Sequence, residues 1–329
     1  MKLRTLGSGN NGFDISEVGL GTWQIGADWG KAFSEDKAFE ILTAAVESGI
    51  NFFDTADVYG NGQSESFIGE FLKHTNKTVR VATKFGRGAD VYPASYSKDA
   101  MRNAIENSLT RLDVDALDLL QLHCIPTSEM QKGEVFDWLR DFKAEGLIRT
   151  FGASVESVEE GLLCMQQEGL QSLQIIFNIF RQKLLTELLP EAEAKGVGLI
   201  VRLPLASGLL SGKFTKQTQF DEKDHRNFNR DGQAFNVGET FAGLPFEKGV
   251  ELADALKREL PAEMTLAQLA LRWILDHKAV TSIIPGASSP QQAINNAKVS
   301  NLAPLPKNLH DKLYRFYQAE VHPAIRGVY

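Results

Sequence analysis

The sequence has few cysteines, no excess of basic residues and no long apolar run. Its two cysteines, Cys124 and Cys164, are too few for a disulfide scaffold or a cysteine-rich zinc site. A net charge of −7 disfavours binding to nucleic acid or to an anionic membrane surface. The longest mainly apolar stretch, residues 197–210, is interrupted by Arg202 and Pro204 and is too short to span a membrane. Because the N-terminus also lacks the apolar segment of a signal peptide, we expect a cytoplasmic protein.

The spacing of apolar residues predicts an α/β fold. The 329 residues fit two domains or one α/β barrel. Short apolar runs alternate eight times with longer stretches of helical periodicity, which favours a closed (β/α)8 TIM barrel of parallel strands over an open sheet. We therefore predict one barrel domain over residues 1–329. The predicted strand and helix pairs are residues 18–22 with 34–48, 51–59 with 65–74, 79–86 with 98–112, 117–124 with 134–145, 150–155 with 158–167, 173–180 with 185–195, 197–205 with 247–260, and 281–285 with 290–299.

Three segments and one long connection lie outside this repeat. Residues 1–16 contain Asn11-Gly12, a hairpin turn signal, and predict an N-terminal hairpin that caps the barrel floor. Residues 265–277 and 308–321 predict extra helices towards the C-terminus. About forty residues, 206–246, separate strand seven from its helix, and a connection of that length is typical of a lid or binding loop.

Four residues of chemical interest stand at one end of successive predicted strands. Asp54 and Tyr59 lie in the last part of strand two, Lys84 lies at the end of strand three and His123 at the end of strand four. Barrel enzymes place their sites at this end of the strands. A tyrosine has a pKa of about 10. An ammonium group beside it lowers that pKa, and a carboxylate holds the ammonium in place. Taken alone, Asp54 and Lys84 fit a buried ion pair, His123 a core residue and Tyr59 wall packing. Their common location predicts a proton-transfer set instead.

The chain as a whole resembles a known family. The motifs GLGTWQIG, DTADVYG, TKFG, LLQLHC, GAS, QIIFN, PLASGLLSGKF and IIPGASSPQQAINN occur in an order and spacing similar to those of the aldo-keto reductase superfamily. The resemblance implies that Asp54, Tyr59, Lys84 and His123 are the catalytic tetrad. It also implies that NADPH gives hydride to a carbonyl carbon, that Tyr59 gives the proton, and that no metal takes part. In this scheme Asp54 anchors Lys84, Lys84 tunes Tyr59 and His123 orients the carbonyl.

The resemblance also implies where the cofactor lies. Ser154 and Gln174 match the residues that hold the nicotinamide carboxamide. Val155 replaces the usual Asn, and Asn178 is an alternative source of that contact. The small residues after strand seven match the pyrophosphate clamp. The complete set of expected cofactor contacts is Gly21, Thr22, Trp23, Asp54, Ser154, Gln174, Arg202, Pro204, Leu205, Ala206, Ser207, Gly208, Ser211, Gly212, Lys213, Gly286, Ser288, Gln292, Asn295 and Asn296.

Two features of the expected cofactor site depart from the family pattern. Residues 286–296 carry no cation for a 2′-phosphate, so Lys213, Arg226 or Arg230 would have to supply it. NADPH is implied by the resemblance, and NADH remains an alternative. Arg202 stands where most members of the family stack an aromatic ring on the nicotinamide, as in a bacterial branch with arginine there. We expect its charge to weaken binding of the cationic oxidised cofactor, unless it points to an acidic residue instead.

The substrate and the function follow from the same set of residues. Trp23, Tyr59, Phe85 and His123 are the expected substrate contacts, and the wall residues would suit an aldehyde with an apolar tail. Further wall candidates are Phe228, Phe235 and Phe241. The sequence therefore predicts reduction of small carbonyl compounds, with detoxification as a role by family analogy. The alternatives are a cofactor-retaining redox sensor like the potassium-channel β subunits, an NAD-dependent alcohol dehydrogenase, and a barrel lyase or isomerase with Lys84 as a Schiff base.

Overall fold

The N-terminal hairpin closes one end of the molecule. The computed structural model describes residues 1–9, 12–26 and 33–329. Strands β1 (Leu3–Leu6) and β2 (Phe13–Ser16) pair antiparallel, which confirms the predicted hairpin. Asn11 of the predicted turn lies outside the described residues. Leu6 and Ile15 are buried against Phe52 and other apolar side chains of the barrel strands, so the hairpin caps the barrel as the sequence predicts.

Eight parallel strands form the barrel wall in chain order. The wall closes between the first and last of them through bridges from Val18 to Ile283 and from Gly21 to Gly286, and the Gly19 N–H donates to the Ile283 carbonyl at 2.8 Å. A closed wall leaves no free sheet edge and confirms the predicted (β/α)8 barrel. The barrel strands are β3 (Leu20–Gly21), β4 (Phe52–Asp54), β5 (Arg80–Phe85), β6 (Leu117–His123), β7 (Ile148–Ser154), β8 (Ser172–Ile176), β9 (Gly198–Arg202) and β10 (Val280–Ile283).

All ten predicted helices are present, eight in the repeat and two towards the C-terminus. Strand β8 ends four residues before the predicted end of its run, because Asn178 turns the chain back towards Arg181. Three short helices were not predicted, namely α1, α5 and α9. The helices are α1 (Trp23–Gly26), α2 (Glu35–Glu47), α3 (Gln63–His74), α4 (Lys98–Leu112), α5 (Thr127–Lys132), α6 (Glu134–Ala144), α7 (Val158–Cys164), α8 (Leu188–Lys195), α9 (His225–Phe228), α10 (Phe246–Lys257), α11 (Leu266–Leu275), α12 (Pro290–Lys298) and α13 (Lys307–Phe316). Within the described residues, no helix has the length and apolar character needed to cross a membrane.

The local sequence explains where the helices nearest the barrel mouth begin. The Ser289 hydroxyl accepts from the Gln292 N–H and Pro290 occupies the first turn, so α12 begins directly after β10 and its short connection. Thr265 and Gln268 form a reciprocal capping box that begins α11. Both helix N-termini therefore point their free backbone N–H groups towards the end of the barrel where the strands finish.

The connection after β9, residues 206–246, forms a folded cover over that end of the barrel, and we call it the cover loop. An aromatic cluster fixes its two ends, since the Phe214 and Phe220 rings lie 5.2 Å apart and the Phe241 and Phe246 rings 4.9 Å apart. The C-terminal segment holds it from outside through Arg326. The predicted long loop is thus present, with short helical turns of its own.

Candidate active site

The four predicted catalytic residues lie together at the C-terminal ends of β4, β5 and β6. Lys84 Nζ donates to Asp54 Oδ1 at 2.6 Å, to the Thr55 carbonyl at 2.7 Å and to the Tyr59 hydroxyl at 3.4 Å. His123 approaches Tyr59 edge-on, with ring centroids 6.0 Å apart. Lys84 is 1 % exposed, so its ammonium group is held by protein groups on every N–H.

Strand register brings the supporting side chains to Asp54. In the β5–β6 pairing Lys84 lies beside Gln121, and in the β7–β8 pairing Ser154 lies beside Gln174. Asp54 Oδ2 accepts from Gln121 Nε2 at 3.1 Å and from Gln174 Nε2 at 2.6 Å. The carboxylate is thus buried with hydrogen bonds on both oxygens, which is the condition under which a buried charge is tolerated. We call Asp54, Lys84, Gln121 and Gln174 the strand cluster.

The protonation states of the site follow from its burial and its charges. Burial raises the pKa of the Tyr59 hydroxyl above 10.0, although the Lys84 charge opposes that shift. The predicted lowering of this pKa by Lys84 is therefore wrong in net direction, because loss of hydration outweighs the ammonium charge. Burial opposes the charged form of Lys84, but Asp54 and Tyr59 outweigh it and raise the pKa above 10.5. At neutral pH the site therefore presents a phenol that keeps its proton beside a charged amine.

His123 is neutral. Burial, and then the positive charges of Arg87, Lys84 and Arg202, lower its pKa well below 6.5. Its Nδ1 has no hydrogen-bond partner among the described residues, although the side chain is buried. The neutral ring therefore keeps unused hydrogen-bonding capacity, and His123 lines the cavity described next.

A cavity of about 1070 Å³ begins at Tyr59 and His123 and runs under the cover loop to α12. Most of the predicted cofactor contacts line it. The predicted contacts on its surface are Gly21, Thr22, Trp23, Asp54, Ser154, Gln174, Arg202, Pro204, Leu205, Ser207, Gly208, Ser211, Lys213, Gly286, Ser288, Gln292, Asn295 and Asn296. Two predicted contacts, Ala206 and Gly212, are absent from the lining, and Ala206 is fully buried beneath it.

The backbone at the middle of the cavity allows a ligand to approach it closely. Ala206, Ser207 and Gly208 have successive positive φ angles of 49°, 55° and 98°. A Cβ on Gly208 would lie 2.8 Å from the Phe214 ring, so this position has no room for a side chain. Left-handed backbone of this kind turns N–H groups to one side, as in many anion-binding loops.

Several predicted substrate and cofactor contacts are placed differently from the expectation. Trp23, Tyr59, His123 and Phe235 line the cavity, whereas Phe85 packs edge-on against Tyr96 in the core. Of the remaining wall candidates, Phe241 is fully buried in the aromatic cluster and Phe228 is exposed at the edge of Phe235.

Asn178 does not supply the contact missing at Val155, because its amide binds the Leu203 carbonyl and the Phe180 N–H.

The far end of the cavity carries cations that the sequence analysis missed. Lys298, in the last turn of α12, and Lys37 of α2 both line it, together with Lys213. Arg226 also lines it, paired with Asp224 at 2.5 Å, but Arg230 does not. The stretch expected to hold the 2′-phosphate ends at Asn296, and the cation Lys298 lies two residues beyond it. Lys37 carried no motif signal at all, since only the packing of α2 against α12 brings it there.

A second ion cluster borders the cavity beside His123. Glu239 of the cover loop receives Arg87 Nη2 at 2.7 Å and faces Arg202 Nη1 at 3.6 Å. Glu156 receives the same Arg87 nitrogen at 2.9 Å. Although burial acts against it, the two arginines lower the pKa of Glu239 to about 2. We call Arg87, Glu156, Arg202 and Glu239 the loop cluster.

The loop cluster decides the direction of Arg202 and disfavours a metal ion. Arg202 points to the acidic residue Glu239, so its guanidinium group has a counterion. One ligand atom from each of Cys124, Glu156 and Glu239 lie within 4.8 Å of one another, but the arginines already bound to both carboxylates oppose a metal cation there. Arg87 had a usable signal, since it follows TKFG at a strand end, whereas Glu239 lies in a loop with no periodicity.

Comparison with known proteins identifies the family of the chain. The model of the aldo/keto reductase family matches residues 17–317. The oxidoreductase YqkF of Bacillus subtilis is 30% identical over 335 residues, covering 99% of this chain and 100% of that protein. The NADH-specific methylglyoxal reductase of Escherichia coli is 28% identical and covers 89% of this chain and 92% of its own.

A solved structure extends the likeness to the fold. An aldo-keto reductase from Bacillus halodurans, solved in a holo form, superposes with a TM-score of 0.78 at 28% identity and covers 100% of this chain and 98% of its own. The barrel, the order of its strands and the matched sequence span therefore agree. The chain belongs to the aldo/keto reductase family of oxidoreductases.

Proposed function

We propose that the protein is an NADPH-dependent reductase of aldehydes and ketones. The observation that carries the proposal is the contact of Lys84 with both Asp54 and Tyr59, beside a neutral His123, at one end of a long cavity. A phenol and an imidazole that converge on one point can both donate to a single carbonyl oxygen, where negative charge develops during reduction.

The chain's own residues supply binding and a proton. Tyr59 keeps its proton at neutral pH and gives it to the carbonyl oxygen, while Lys84 stabilises the phenolate that is left. Asp54 holds Lys84 in place, and His123 donates a hydrogen bond that orients the carbonyl. When bound, the dinucleotide supplies the hydride for the carbonyl carbon.

The cavity fits a dinucleotide from end to end. Ser154 and Gln174 line its tetrad end, and Gln174 donates through Nε2 to Asp54, which leaves its Oε1 for the carboxamide. The positive-φ backbone of residues 206–208 suits the pyrophosphate. Lys37, Lys213 and Lys298 at the far end favour the 2′-phosphate of NADPH over NADH. NADH is the alternative because the E. coli relative is named for it.

The wall opposite Tyr59 suggests the substrate class. Trp23 stacks on Tyr59 at 6.0 Å, and Phe235 closes the same side at 6.4 Å from Trp23. Such a wall accepts the apolar tail of an aldehyde. Arg87 and Glu239 line the adjoining side, so short oxygenated carbonyl compounds belong in the test panel as well.

Lys84 does not fit the Schiff-base alternative. A Schiff base needs an uncharged amine with a free approach, whereas Lys84 is buried, charged and bonded to three oxygens. The redox-sensor alternative predicts tight cofactor binding without turnover. The alcohol dehydrogenase alternative predicts faster reaction with NAD⁺ and an alcohol than with NADPH and an aldehyde.

Titration of cofactor fluorescence with NADPH and NADH, followed by a panel of aldehydes and alcohols in both directions, tests the proposal. We expect tighter binding of NADPH and turnover with aldehydes. Tyr59→Phe keeps the ring and removes the proton, so it should lose about 10²–10⁴ in kcat while both cofactors bind within a few-fold of the parent. Cofactor retention with no turnover in either direction would favour the redox sensor, and turnover of Tyr59→Phe at the parent rate would remove the proposed acid.

A further inference from the structure

Glu239 of the cover loop is the counterion of two arginines at the cavity wall. Glu239 is 5 % exposed, and both of its oxygens bind Arg87. Its Oε2 also faces Arg202, which comes from a different strand end. Its backbone is fixed as well, because the Glu239 carbonyl accepts from the Ser207 hydroxyl and the same hydroxyl accepts from the Phe241 N–H. The cover loop therefore brings this carboxylate to arginines at the ends of barrel strands.

Arg202 depends on Glu239 for charge compensation. Its other polar contacts are the Cys124 sulfur at 3.5 Å and the Val155 carbonyl at 3.3 Å, both from uncharged groups. Its Nε is buried without a hydrogen-bond partner among the described residues. Glu156, the other carboxylate of the cluster, binds Arg87 at 2.9 Å and Asn236 at 3.1 Å, and its charge acts on Arg202 less than that of Glu239 does. Removing the charge of Glu239 would thus leave Arg202 without its direct counterion.

Arg202 and Glu239 both line the part of the cavity that Tyr59 and His123 occupy. The electrostatic influence of Arg202 reaches both of these catalytic residues. A ring that gives hydride to a carbonyl held by Tyr59 and His123 must lie in this part of the cavity. Oxidised nicotinamide carries a positive charge and reduced nicotinamide carries none, so the local charge discriminates between the two redox forms.

We infer that Glu239 is a positioning residue that sets the relative affinity for oxidised and reduced cofactor, by neutralising Arg202 beside the nicotinamide. The inference rests on the proposed function. It modifies the expectation from the sequence, in which Arg202 acts as a single uncompensated charge. With Glu239 in place, binding of the oxidised form costs little. Without it, the positive guanidinium opposes the positive ring.

Dissociation constants of NADP⁺ and NADPH, measured by calorimetry on the parent and four variants, test the inference. In Glu239→Gln, the ratio of the NADP⁺ to the NADPH dissociation constant should rise about tenfold, the size expected for one unit charge several ångströms away at a dielectric of about 20 with partial screening. In Arg202→Gln the ratio should fall below that of the parent. The double variant should return towards the parent ratio, because both charges are gone.

Asp231→Asn is the matched control for a loosened cover loop. Asp231 binds Arg326 at 2.5 Å and neither residue lines the cavity. Loosening the loop should change the affinity for both redox forms in parallel, and so leave their ratio unchanged. A parallel change in Glu239→Gln, or a ratio that falls, would overturn the inference and leave the proposed function standing. Failure of the parent to bind either dinucleotide would instead refute the proposed function.

Discussion

The strand cluster and the loop cluster border the same cavity but are built from different parts of the chain. In the strand cluster, Asp54 and Lys84 come from adjacent strands and meet at 2.6 Å, so sheet register fixes their distance. In the loop cluster, Glu239 comes from the cover loop and contacts Arg87 and Arg202, which stand at strand ends. The barrel alone therefore assembles the proposed proton donor, whereas the loop cluster also needs a residue of the cover loop.

Lys84→Met should give the largest effect, because it breaks the strand cluster. We expect kcat/KM with an aldehyde to fall at least about a hundredfold, since Tyr59 loses the cation that stabilises its phenolate. The free energy of unfolding should fall by about 3–5 kcal/mol, because Asp54 is left buried without its cation. Steady-state kinetics and urea denaturation measure the two effects.

The double variant Asp54→Asn with Lys84→Met is the control for that result. It removes the unpaired charge, so part of the lost stability should return while the activity does not. If Lys84→Met unfolds at the same urea concentration as the parent, the strand cluster is not the buried ion pair that the contacts describe.

Asp57→Asn should have a smaller effect that depends on pH. Burial, and then the charge of Glu65, raise the pKa of Asp57 from 3.8 to about 7, although Arg111 and Lys84 act in the other direction. Between these values the folded protein keeps a proton that the unfolded chain has released. The contribution of Asp57 to stability therefore declines as the pH rises through this window. Asparagine removes that decline.

We expect Asp57→Asn to match the parent near pH 4 and to gain on it by up to about 4 kcal/mol near pH 8. Urea denaturation at several pH values measures the difference. Asp137→Asn, which changes a carboxylate that is 69% exposed, is the control and should show no such trend. If the free energy of unfolding of Asp57→Asn differs from that of the parent by the same amount at both ends of the pH range, the pKa of Asp57 is not raised.

Arg326→Gln should have the smallest effect and should act on the cover loop. The Arg326 guanidinium donates to the Gly243 carbonyl at 3.0 Å and to the Leu244 and Arg230 carbonyls at 3.2 Å. Loss of these bonds should speed dinucleotide dissociation by about threefold to tenfold in stopped-flow measurements. The rate of hydride transfer from bound cofactor should not change, because the strand cluster is untouched. Slower hydride transfer with unchanged dissociation would show that the two clusters are not independent.

The difference between the strand cluster and the loop cluster explains which parts of the site could be predicted from the sequence. The tetrad residues end strands whose apolar runs are visible in the sequence, and parallel strands must bring their ends together. Ser154 and Gln174 were indicated by the resemblance to the family and not by periodicity. The alternating strands and helices, the hairpin and the long connection after β9 also follow from periodicity and loop length.

The parts that the sequence did not predict depend on packing between distant segments. Lys37 reaches the cavity because α2 packs on α12, and Glu239 reaches Arg87 because the cover loop folds back over β5. Phe85 was misplaced because a strand-end aromatic can face either the cavity or the core. The direction of the Tyr59 pKa shift was wrong because a sequence shows the neighbouring charge but not the burial that outweighs it.

A crystal structure of the protein with NADP⁺ and an unreactive carbonyl compound tests the central claim most directly. The account predicts the carbonyl oxygen at about 3 Å from both the Tyr59 hydroxyl and a ring nitrogen of His123, with the nicotinamide beside them. A carbonyl oxygen bound to Arg87 and out of reach of Tyr59 would contradict it.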